Sequence, residues 1–281
     1  MIVINTVQEM RNLDTQRKRG AVFTMGALHE GHVELMKECR RAIGADGLLV
    51  VTIFVNPTQF TDPRDLEKYP RTLDEDIDLC SKSGVDVVFA PSVEEMYPPG
   101  QQLSQLSAGV LGTVLEGKSR PGHFDAVATV VHRLLEITMP SITCFGEKDY
   151  QQLAVVREMV SQAGIECEVH GVPTVRDTDG LALSSRNRLL SVEDRKAARI
   201  VPQALALLAK SAASGEIGQA ISSATALVAS EPRAKLDYLE VVAPDFGPAP
   251  RQGEARALIA VRFGDIRLID NCPVMIGGAA K

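Results

Sequence analysis

Short runs of apolar, β-branched residues alternate with amphipathic segments through about the first 175 residues of the chain. The segments between the runs repeat apolar residues at helical spacing, as in Val33, Met36, Cys39 and Ile43. Near-continuous apolar strands separated by helices are typical of a parallel sheet covered on both faces. The pattern therefore predicts an α/β fold. Its predicted strands are Ala21–Thr24, Leu48–Val55, Val85–Ala90, Ile142–Phe145 and Glu168–Pro173.

The pattern changes after about Asn187. Ser191-Val-Glu-Asp194 predicts a capped start for an Ala/Leu-rich helix that runs to about Ala213, and a second helix follows over Ile217–Ser230. Gly264-Asp265 is a hairpin signal between the last two of three strand-like runs. We expect a smaller C-terminal α+β domain, with domains at 1–185 and 186–281. The three runs are Leu236–Val242, Ala257–Phe263 and Ile266–Ile269.

Composition narrows the function classes. Hydrophobic residues make up 45% and charged residues 23%, as in ordinary globular proteins. The net charge of -6 gives no overall attraction to nucleic acid or to an anionic membrane. No apolar run approaches the length of a membrane span. We therefore expect small-molecule partners, with neither nucleic acid nor membrane among them.

The cysteines and the N-terminus favour the cytoplasm. The chain has five cysteines, an odd number, and none of them forms a C-x-x-C pair. Free thiols in a reducing compartment are the simplest interpretation. Residues 1–5 lack the basic and apolar regions of a signal peptide.

The strongest local signal is Thr24-Met-Gly-Ala-Leu-His29-Glu-Gly-His32, which follows a strand and opens a helix. A helix N-terminus presents N–H groups and a partial positive charge, which suit a phosphate. Gly26 and Gly31 let the backbone approach an anion closely. His29 and His32 can donate hydrogen bonds to the oxygens of departing pyrophosphate. The segment resembles the H-x-G-H pattern of the nucleotidyltransferase superfamily.

Two other interpretations of the histidine pair remain open. His-Glu-Gly-His resembles a zinc motif, but its histidines are three residues apart rather than four, and no cysteine lies close in sequence. The pair could also cap a helix at the surface without binding a ligand.

Asn56 and Gln59 follow another apolar strand. They supply neutral donors and acceptors suited to a carboxylate or hydroxyl group. An Asn-Pro turn with a polar tip would use the same residues.

Two later segments suit phosphate. Gly146-Glu-Lys148-Asp149 again leads from a strand into a helix, where Lys148 would face phosphates and Asp149 could cap the helix. Ser184, Ser185 and Arg186 supply hydroxyls and a guanidinium that can hold a triphosphate. Ligands of parallel sheets bind at the carboxyl ends of strands, so the four segments together carry more weight than any one.

One string matches the P-loop expression by chance. Gly112-Thr-Val-Leu-Glu-Gly117-Lys118-Ser119 has its spacing, but no buried strand precedes it and Arg120-Pro-Gly122 breaks any helix directly after it. Gln101–Val110 is polar and helix-like instead. Arg120 and the adjoining His123 are better suited to a loop that faces the substrate.

Together these strings resemble the pantothenate synthetase (pantoate–β-alanine ligase) family. The resemblance implies a Rossmann-like ATP- and pantoate-binding domain, a smaller lid domain and a homodimer. It implies that (R)-pantoate is joined to β-alanine with Mg²⁺ and ATP through pantoyl adenylate, which releases pyrophosphate and AMP. The matching segments are Met25–His32, Ile53–Phe60, Tyr69–Thr72, Arg120–Phe124, Phe145–Leu153, Gly180–Asn187, Asp237–Val242 and Arg267–Asn271.

The resemblance also implies roles for individual residues. It implies catalytic roles for His32, His29, Lys148 and Arg186, and β-alanine binding by Gln59. For pantoate it implies Met25, Asn56, Gln59 and Gln152. For ATP it implies Met25, Gly26, Ala27, Leu28, His29, Glu30, Gly31, His32, Gly146, Glu147, Lys148, Asp149, Val175, Leu183, Ser184, Ser185 and Arg186. It assigns no Mg²⁺ ligand; Glu75 and Asp76 are candidate metal neighbours, but an exposed acidic helix face is the better explanation of the two residues.

Three other functions compete with the ligase. An enzyme that transfers AMP to a phosphate-bearing precursor would share the histidines, but it needs a second anion site, and the set Asn56, Gln59 and Gln152 is neutral. A regulatory ATP-binding module would bind nucleotide without releasing pyrophosphate. An RNA-charging enzyme is disfavoured by the net charge of -6.

Overall fold

The chain folds into two units, Met1–Pro173 and Thr174–Lys281, in a computed structural model that describes residues 1–13, 16–100 and 106–278. The units divide twelve residues before the predicted boundary at 185. The reason is that the segment after Thr174 is bound to C-terminal residues: Arg176 donates to both carboxylate oxygens of Asp270, at 2.7 and 3.0 Å. This segment therefore belongs to the second unit.

A six-stranded sheet, with every neighbouring pair parallel, is the centre of the described part of the first unit. All five predicted strands are confirmed. The added edge strand has three residues, two of them exposed, so its pattern was too short to recognise. The strands are β1 (Ile2–Ile4), β2 (Arg19–Thr24), β3 (Leu48–Ile53), β4 (Val87–Phe89), β5 (Ile142–Gly146) and β6 (Glu168–Val172).

Both faces of this sheet are covered, as the apolar runs predict. The described helices of the unit are α1 (Val7–Arg11), α2 (Glu30–Ile43), α3 (Pro63–Lys68), α4 (Leu73–Lys82), α5 (Val93–Met96), α6 (Glu116–Ser119), α7 (His123–Thr138) and α8 (Tyr150–Gln162). Alternate residues of β3 point to opposite faces of the sheet. Leu48 and Val50 pack with α7 and α8 on one face, and Leu49 and Val51 pack with α2 and α4 on the other.

The strand order β1-β4-β3-β2-β5-β6 contains a topological switch point. The chain moves from β2 outward through β3 to β4, then returns to the other side of β2 to form β5 and β6. The carboxyl ends of β2 and β5 therefore flank the place where ligands bind in open α/β sheets.

The second unit packs three helices on a three-stranded antiparallel sheet with the order β7-β8-β9 among its described residues. The predicted hairpin at Gly264-Asp265 is confirmed. The prediction of a single helix from Ser191 to Ala213 is wrong. Pro202 has no N–H to donate to the carbonyl of Ala198, and its ring crowds that carbonyl, so the helix is interrupted there. The elements are α9 (Val192–Ala197), α10 (Ile200–Ala212), α11 (Ile217–Ala229), β7 (Ala234–Val242), β8 (Gly253–Phe263) and β9 (Ile266–Ile276).

Candidate active site

Three of the four predicted polar segments meet at one edge of the parallel sheet. Met25–His32 follows β2, Asn56–Gln59 follows β3, and Glu147–Asp149 follows β5. Because β2 pairs in parallel with both β3 and β5, the carboxyl ends of all three strands lie side by side. The sheet thus brings the histidines, the two amides and Lys148 together.

Backbone N–H groups fix the tautomers of both histidine rings. The backbone N–H of His29 donates to Nδ1 of His32 at 3.2 Å, and the N–H of Gly31 donates to Nδ1 of His29 at 3.1 Å. Each Nδ1 is therefore an acceptor, which leaves the proton of each neutral ring on Nε2. The ring centroids are 4.1 Å apart. The pair thus forms two neighbouring Nε2–H donors.

Four backbone N–H groups around the start of α2 are engaged within the protein. Those of His29 and Gly31 donate to the imidazole rings, and those of Ala27 and Leu28 donate to the carboxylate of Asp76. The expectation of bare N–H groups at this helix start is therefore not met at these four residues.

His32 is neutral at physiological pH. Burial is the main cause, and the neighbouring His29 ring and the Lys148 ammonium add to it; together they lower the pKa of His32 to about 3. A neutral ring is a hydrogen-bond donor of fixed direction, so His32 can stabilise developing charge without having to lose or gain a proton.

A chain of polar contacts fixes the amide side of the site. Asn56 Nδ2 donates to Gln59 Oε1 at 3.2 Å, and Gln59 Nε2 contacts Met25 Sδ at 2.9 Å. Tyr97 donates its hydroxyl to Asn56 Oδ1 at 2.9 Å. Asn56 also makes the predicted turn, because its side chain accepts from the N–H of Thr58. Asn56 therefore forms the predicted turn and at the same time belongs to the cluster of amides.

The backbone carbonyl of Gln59 is held by the Arg120-Pro-Gly-His123 segment. Arg120 donates to this oxygen at 3.3 Å, and His123 Nδ1 lies 2.9 Å from it. Arg120 also donates to His123 Nε2 at 3.0 Å, so the ring carries its proton on Nδ1 and donates to Gln59. Burial and the Arg120 charge lower the pKa of His123 to about 4.

Gln151 and Gln152, neighbours at the start of α8, have different surroundings. Gln151 is 2% exposed; its Nε2 donates to Leu111 O and Val114 O, and its Oε1 accepts from Glu116 N. Gln152 is half-buried. The first glutamine therefore stabilises a loop, and the second is the one suited to a ligand.

Comparisons with known proteins decide the family. The profile described as Pantoate-beta-alanine ligase matches residues 2–273. Pantothenate synthetase of Mycolicibacterium smegmatis is 48% identical over 259 residues, 92% of this chain and 81% of that protein. That of Salinispora arenicola is 50% identical over 259 residues, 92% of this chain and 91% of that protein.

The chain belongs to the pantoate–β-alanine ligase family.

Solved structures agree. Pantothenate synthetase from Thermus thermophilus superposes with a TM-score of 0.91 at 44% identity, over 97% of this chain and 99% of that one. Pantoate-beta-alanine ligase from Francisella tularensis, complexed with beta-gamma ATP and beta-alanine, has a TM-score of 0.80 at 35% identity, with 97% of both chains covered. The parallel-sheet unit and the smaller α+β unit are thus the architecture of this ligase family, as the sequence predicts.

The fourth of the predicted polar segments, which contains Ser184, Ser185 and Arg186, lies in the second unit. Leu183 N donates to Val175 O at 3.0 Å, and Ser184 caps the short helix Ser185–Leu189 by accepting from Arg186 N at 3.3 Å. Arg195 holds the intervening turn through Asp177 and Asp179. Val175 and Leu183–Arg186 are therefore presented by one closed loop.

The P-loop-like string lacks the setting between a buried strand and a helix that a P-loop requires. Gly112 lies within the 3-10 helix Gly109–Thr113 and Gly117 lies in the one-turn helix α6, with no strand in the described residues just before them. A Cβ on Gly117 would lie 2.3 Å from Gly112 O, so these glycines pack against each other. Part of the predicted helix Gln101–Val110 lies outside the described residues.

Two interpretations of acidic residues need correction. Asp149 precedes α8, but its side chain makes no cap hydrogen bond; its carboxylate lies 3.7 Å from Lys148 Nζ. Glu75 is exposed as expected, whereas Asp76 is buried and binds backbone amides. Across residues 1–13, 16–100 and 106–278, no three His, Cys, Asp or Glu side chains come together as metal ligands.

The sequence predicts no role for Gln151, and it marks Asp76 only as a possible metal neighbour and His123 only as part of a substrate-facing loop. It does not predict the buried contacts that the three residues make. For Asp76 the signal was present: it lies four residues before buried Cys80, on the inner stripe of α4. A lone acid on an apolar stripe requires a buried partner.

No described helix is both long enough and apolar enough to cross a membrane.

Proposed function

We propose that this ligase joins pantoate to β-alanine through a pantoyl adenylate formed at the carboxyl edge of the parallel sheet. The observation that carries the proposal is the convergence of two neutral imidazole donors, Lys148 and the Asn56–Gln59 amides at the switch point. ATP-dependent ligation of these two substrates is the reaction of the family. The assignment of individual residues and of the intermediate is our proposal.

In the first step a carboxylate oxygen of pantoate attacks the α-phosphorus of ATP. The bond from phosphorus to the bridging oxygen breaks, and pyrophosphate leaves with that electron pair. The protein needs to position the reactants and stabilise charge on pyrophosphate. We assign this to Nε2–H of His29 and His32 and to Lys148, whose charge acts on His32. Fixed tautomers support the role, because such donors need no reorganisation during the reaction.

In the second step the neutral amine of β-alanine attacks the acyl carbon, and AMP leaves as the carbon–oxygen bond breaks. The amine loses its proton, and pantothenate is released. None of these steps requires a covalent protein nucleophile.

The acid site is assigned to Met25, Asn56, Gln59 and Gln152. Neutral amides orient a hydroxy acid without adding a charge that would reduce the nucleophilicity of its carboxylate. The fixed contact between Gln59 Nε2 and Met25 Sδ supports a preformed site. A contact of Gln59 with β-alanine is also part of the proposal, and the family resemblance supports it.

The nucleotide is assigned to three segments of the chain. Residues Met25–His32 and Gly146–Asp149 line the nucleotide, Val175 contacts adenine through its backbone, and Leu183–Arg186 bind the phosphates. The second unit would serve as a lid that excludes water from the adenylate. Support comes from the family resemblance and from the closed loop that presents Val175 with Leu183.

Mg²⁺ is proposed to arrive with ATP. This ion usually binds substrate phosphates and water, with one or two carboxylates at most. When bound, the ion would neutralise phosphate charge during the first step.

A homodimer and a cytoplasmic location complete the proposal. The family resemblance supports the dimer, and the five free cysteines fit a reducing compartment. Light scattering after gel filtration gives the mass of the particle: twice the chain mass is expected, and the mass of one chain would contradict the dimer.

The experiment that tests the function follows pyrophosphate, AMP and pantothenate with purified protein, Mg²⁺, ATP and pantoate, with and without β-alanine. One pyrophosphate per site without amine, then equal steady release of all three products with it, is expected. Pantoate-independent release, or no release despite ATP binding, would contradict the proposal.

A further inference from the structure

The carboxylate of Asp76 is buried against the backbone of the segment that leads to His29 and His32, and it accepts hydrogen bonds from that backbone. Its Oδ2 accepts from Ala27 N at 2.9 Å, and its Oδ1 accepts from Leu28 N at 2.7 Å. Thr72 adds its hydroxyl to Oδ2 at 3.2 Å. The residue is 2% exposed, so both oxygens are satisfied by these groups rather than by solvent.

The backbone bound by this carboxylate is in an unfavourable conformation. Gly26 has φ +82° and Ala27 has φ +51°, and a residue with a Cβ rarely adopts the left-handed region. This turn directs the chain from β2 into α2, so it sets where His29 and His32 stand. Two charge-assisted hydrogen bonds at consecutive amides can hold such a turn in place.

The fit around the carboxylate is close. A Cβ on Gly26 would lie 2.9 Å from Asp76 Oδ2 and 3.2 Å from Ile53 Cγ2. Glycine is therefore required at this position both by its φ and by the approach of the acid. The longer side chain of glutamate could not enter the same space without moving the loop.

We propose that Asp76 is a positioning residue for adenylation: its carboxylate sets the Gly26-Ala27 turn and thereby aims the Nε2–H groups of His29 and His32 at the phosphates. The inference rests on the proposed function of the histidine pair. Its main effect is expected on ATP, because Asp76 binds the amides of Ala27 and Leu28 and makes no described contact with Asn56, Gln59 or Gln152. Met25, which precedes the turn, is held separately by its contact with Gln59.

The test is Asp76→Asn, which keeps the shape but replaces one acceptor with an amide donor that opposes a backbone N–H. Losing one of two charge-assisted bonds is expected to lower the rate of pyrophosphate release by about 10- to 100-fold and to raise KM for ATP. KM for pantoate should stay within about twofold, because its proposed site is held by other contacts. A role confined to stability would lower the melting temperature without this split between ATP and pantoate.

Two matched variants serve as controls. Asp74→Asn makes the same substitution at an exposed residue of the same helix and should leave both KM values and the rate within about twofold, as for ordinary surface substitutions. Thr72→Val removes the hydroxyl contact but keeps both amide contacts, so its effect should be several times smaller than that of Asp76→Asn.

Hydrogen exchange of the wild-type protein without ATP provides a second test that does not depend on a variant folding. The amides of Ala27 and Leu28 should be protected, since the carboxylate holds them before nucleotide binds. Rapid exchange at both amides, wild-type kinetics of Asp76→Asn, or equal losses for ATP and pantoate would each overturn the inference. Failure of the wild-type protein to release pyrophosphate would instead contradict the proposed function.

Discussion

The backbone N–H of His29 donates to Nδ1 of His32 across 3.2 Å, so the first histidine of the motif fixes the tautomer of the second. This explains the spacing of three residues, since a ring at the third helical position reaches back to the capping residue. The motif therefore caps its own helix, and both Nε2–H groups become donors as a consequence. Two interpretations of the pair, helix cap and phosphate ligand, are compatible in one arrangement.

Buried His123 makes the stability of the protein fall in mild acid. Its folded pKa of about 4 lies below the ordinary value of 6.5, so the unfolded chain binds more protons between these values. The free energy of unfolding should decrease as pH falls through 6.5 towards 4, and this residue should contribute about 1–2 kcal/mol of the loss between pH 7 and pH 5.

Urea unfolding at the two pH values measures this contribution. His123→Gln lacks the titrating ring and should show the smaller pH dependence, while His170→Gln, at a half-exposed position, should match the wild type. Equal slopes for His123→Gln and wild type would contradict the buried neutral ring.

Replacing His32 tests its role as a donor. His32→Ala should lower the rate of pyrophosphate release by ~10²–10³-fold, the usual effect of removing one preorganised donor to developing charge. His170→Ala removes an imidazole from β6 and should have no effect. Near-normal release by His32→Ala would remove this ring from the mechanism.

Substitutions of Gln151 and Gln152, which are neighbours in α8, should have different effects: one on the free energy of unfolding and the other on pantoate binding. Gln152→Ala is expected to weaken pantoate binding by at least ~10-fold with little effect on ATP, as for a lost substrate hydrogen bond. Gln151→Ala leaves the two carbonyls of Leu111 and Val114 without this donor, so it should lower the free energy of unfolding by about 2–3 kcal/mol. Isothermal titration and urea unfolding of both variants measure the two quantities; the reverse pattern would exchange the roles.

The P-loop-like string should tolerate substitution of its lysine. Lys118 is exposed on α6, and Lys118→Ala is expected to leave kcat and KM for ATP within about twofold, as at an ordinary surface position. Lys148→Ala, the comparison variant, should lower the adenylation rate strongly. A large rise in KM for ATP in Lys118→Ala would show that the string does bind phosphate.

The strands and the meeting of three loops could be predicted because their signals are local. Apolar runs define β2, β3 and β5, and parallel pairing then brings Met25–His32, Asn56–Gln59 and Gly146–Asp149 to the same edge. No knowledge of distant contacts is needed for that step.

The remaining features depend on contacts between residues far apart in sequence. Asp76 reaches Leu28 across 48 positions, and Gln151 reaches Glu116 across 35. The unit boundary lies near Thr174 rather than near 185 because Arg176 binds Asp270, 94 positions away. Periodicity and motif spacing carry no information about such pairs.

Isotope transfer tests the adenylate most directly. Pantoate labelled with ¹⁸O in both carboxylate oxygens is incubated with ATP, Mg²⁺ and β-alanine, and the AMP and pyrophosphate are analysed by mass spectrometry. The account predicts one ¹⁸O in each AMP and none in pyrophosphate, because a carboxylate oxygen attacks the α-phosphorus and stays there when the amide forms. Unlabelled AMP would contradict the adenylate, whatever the yield of pantothenate.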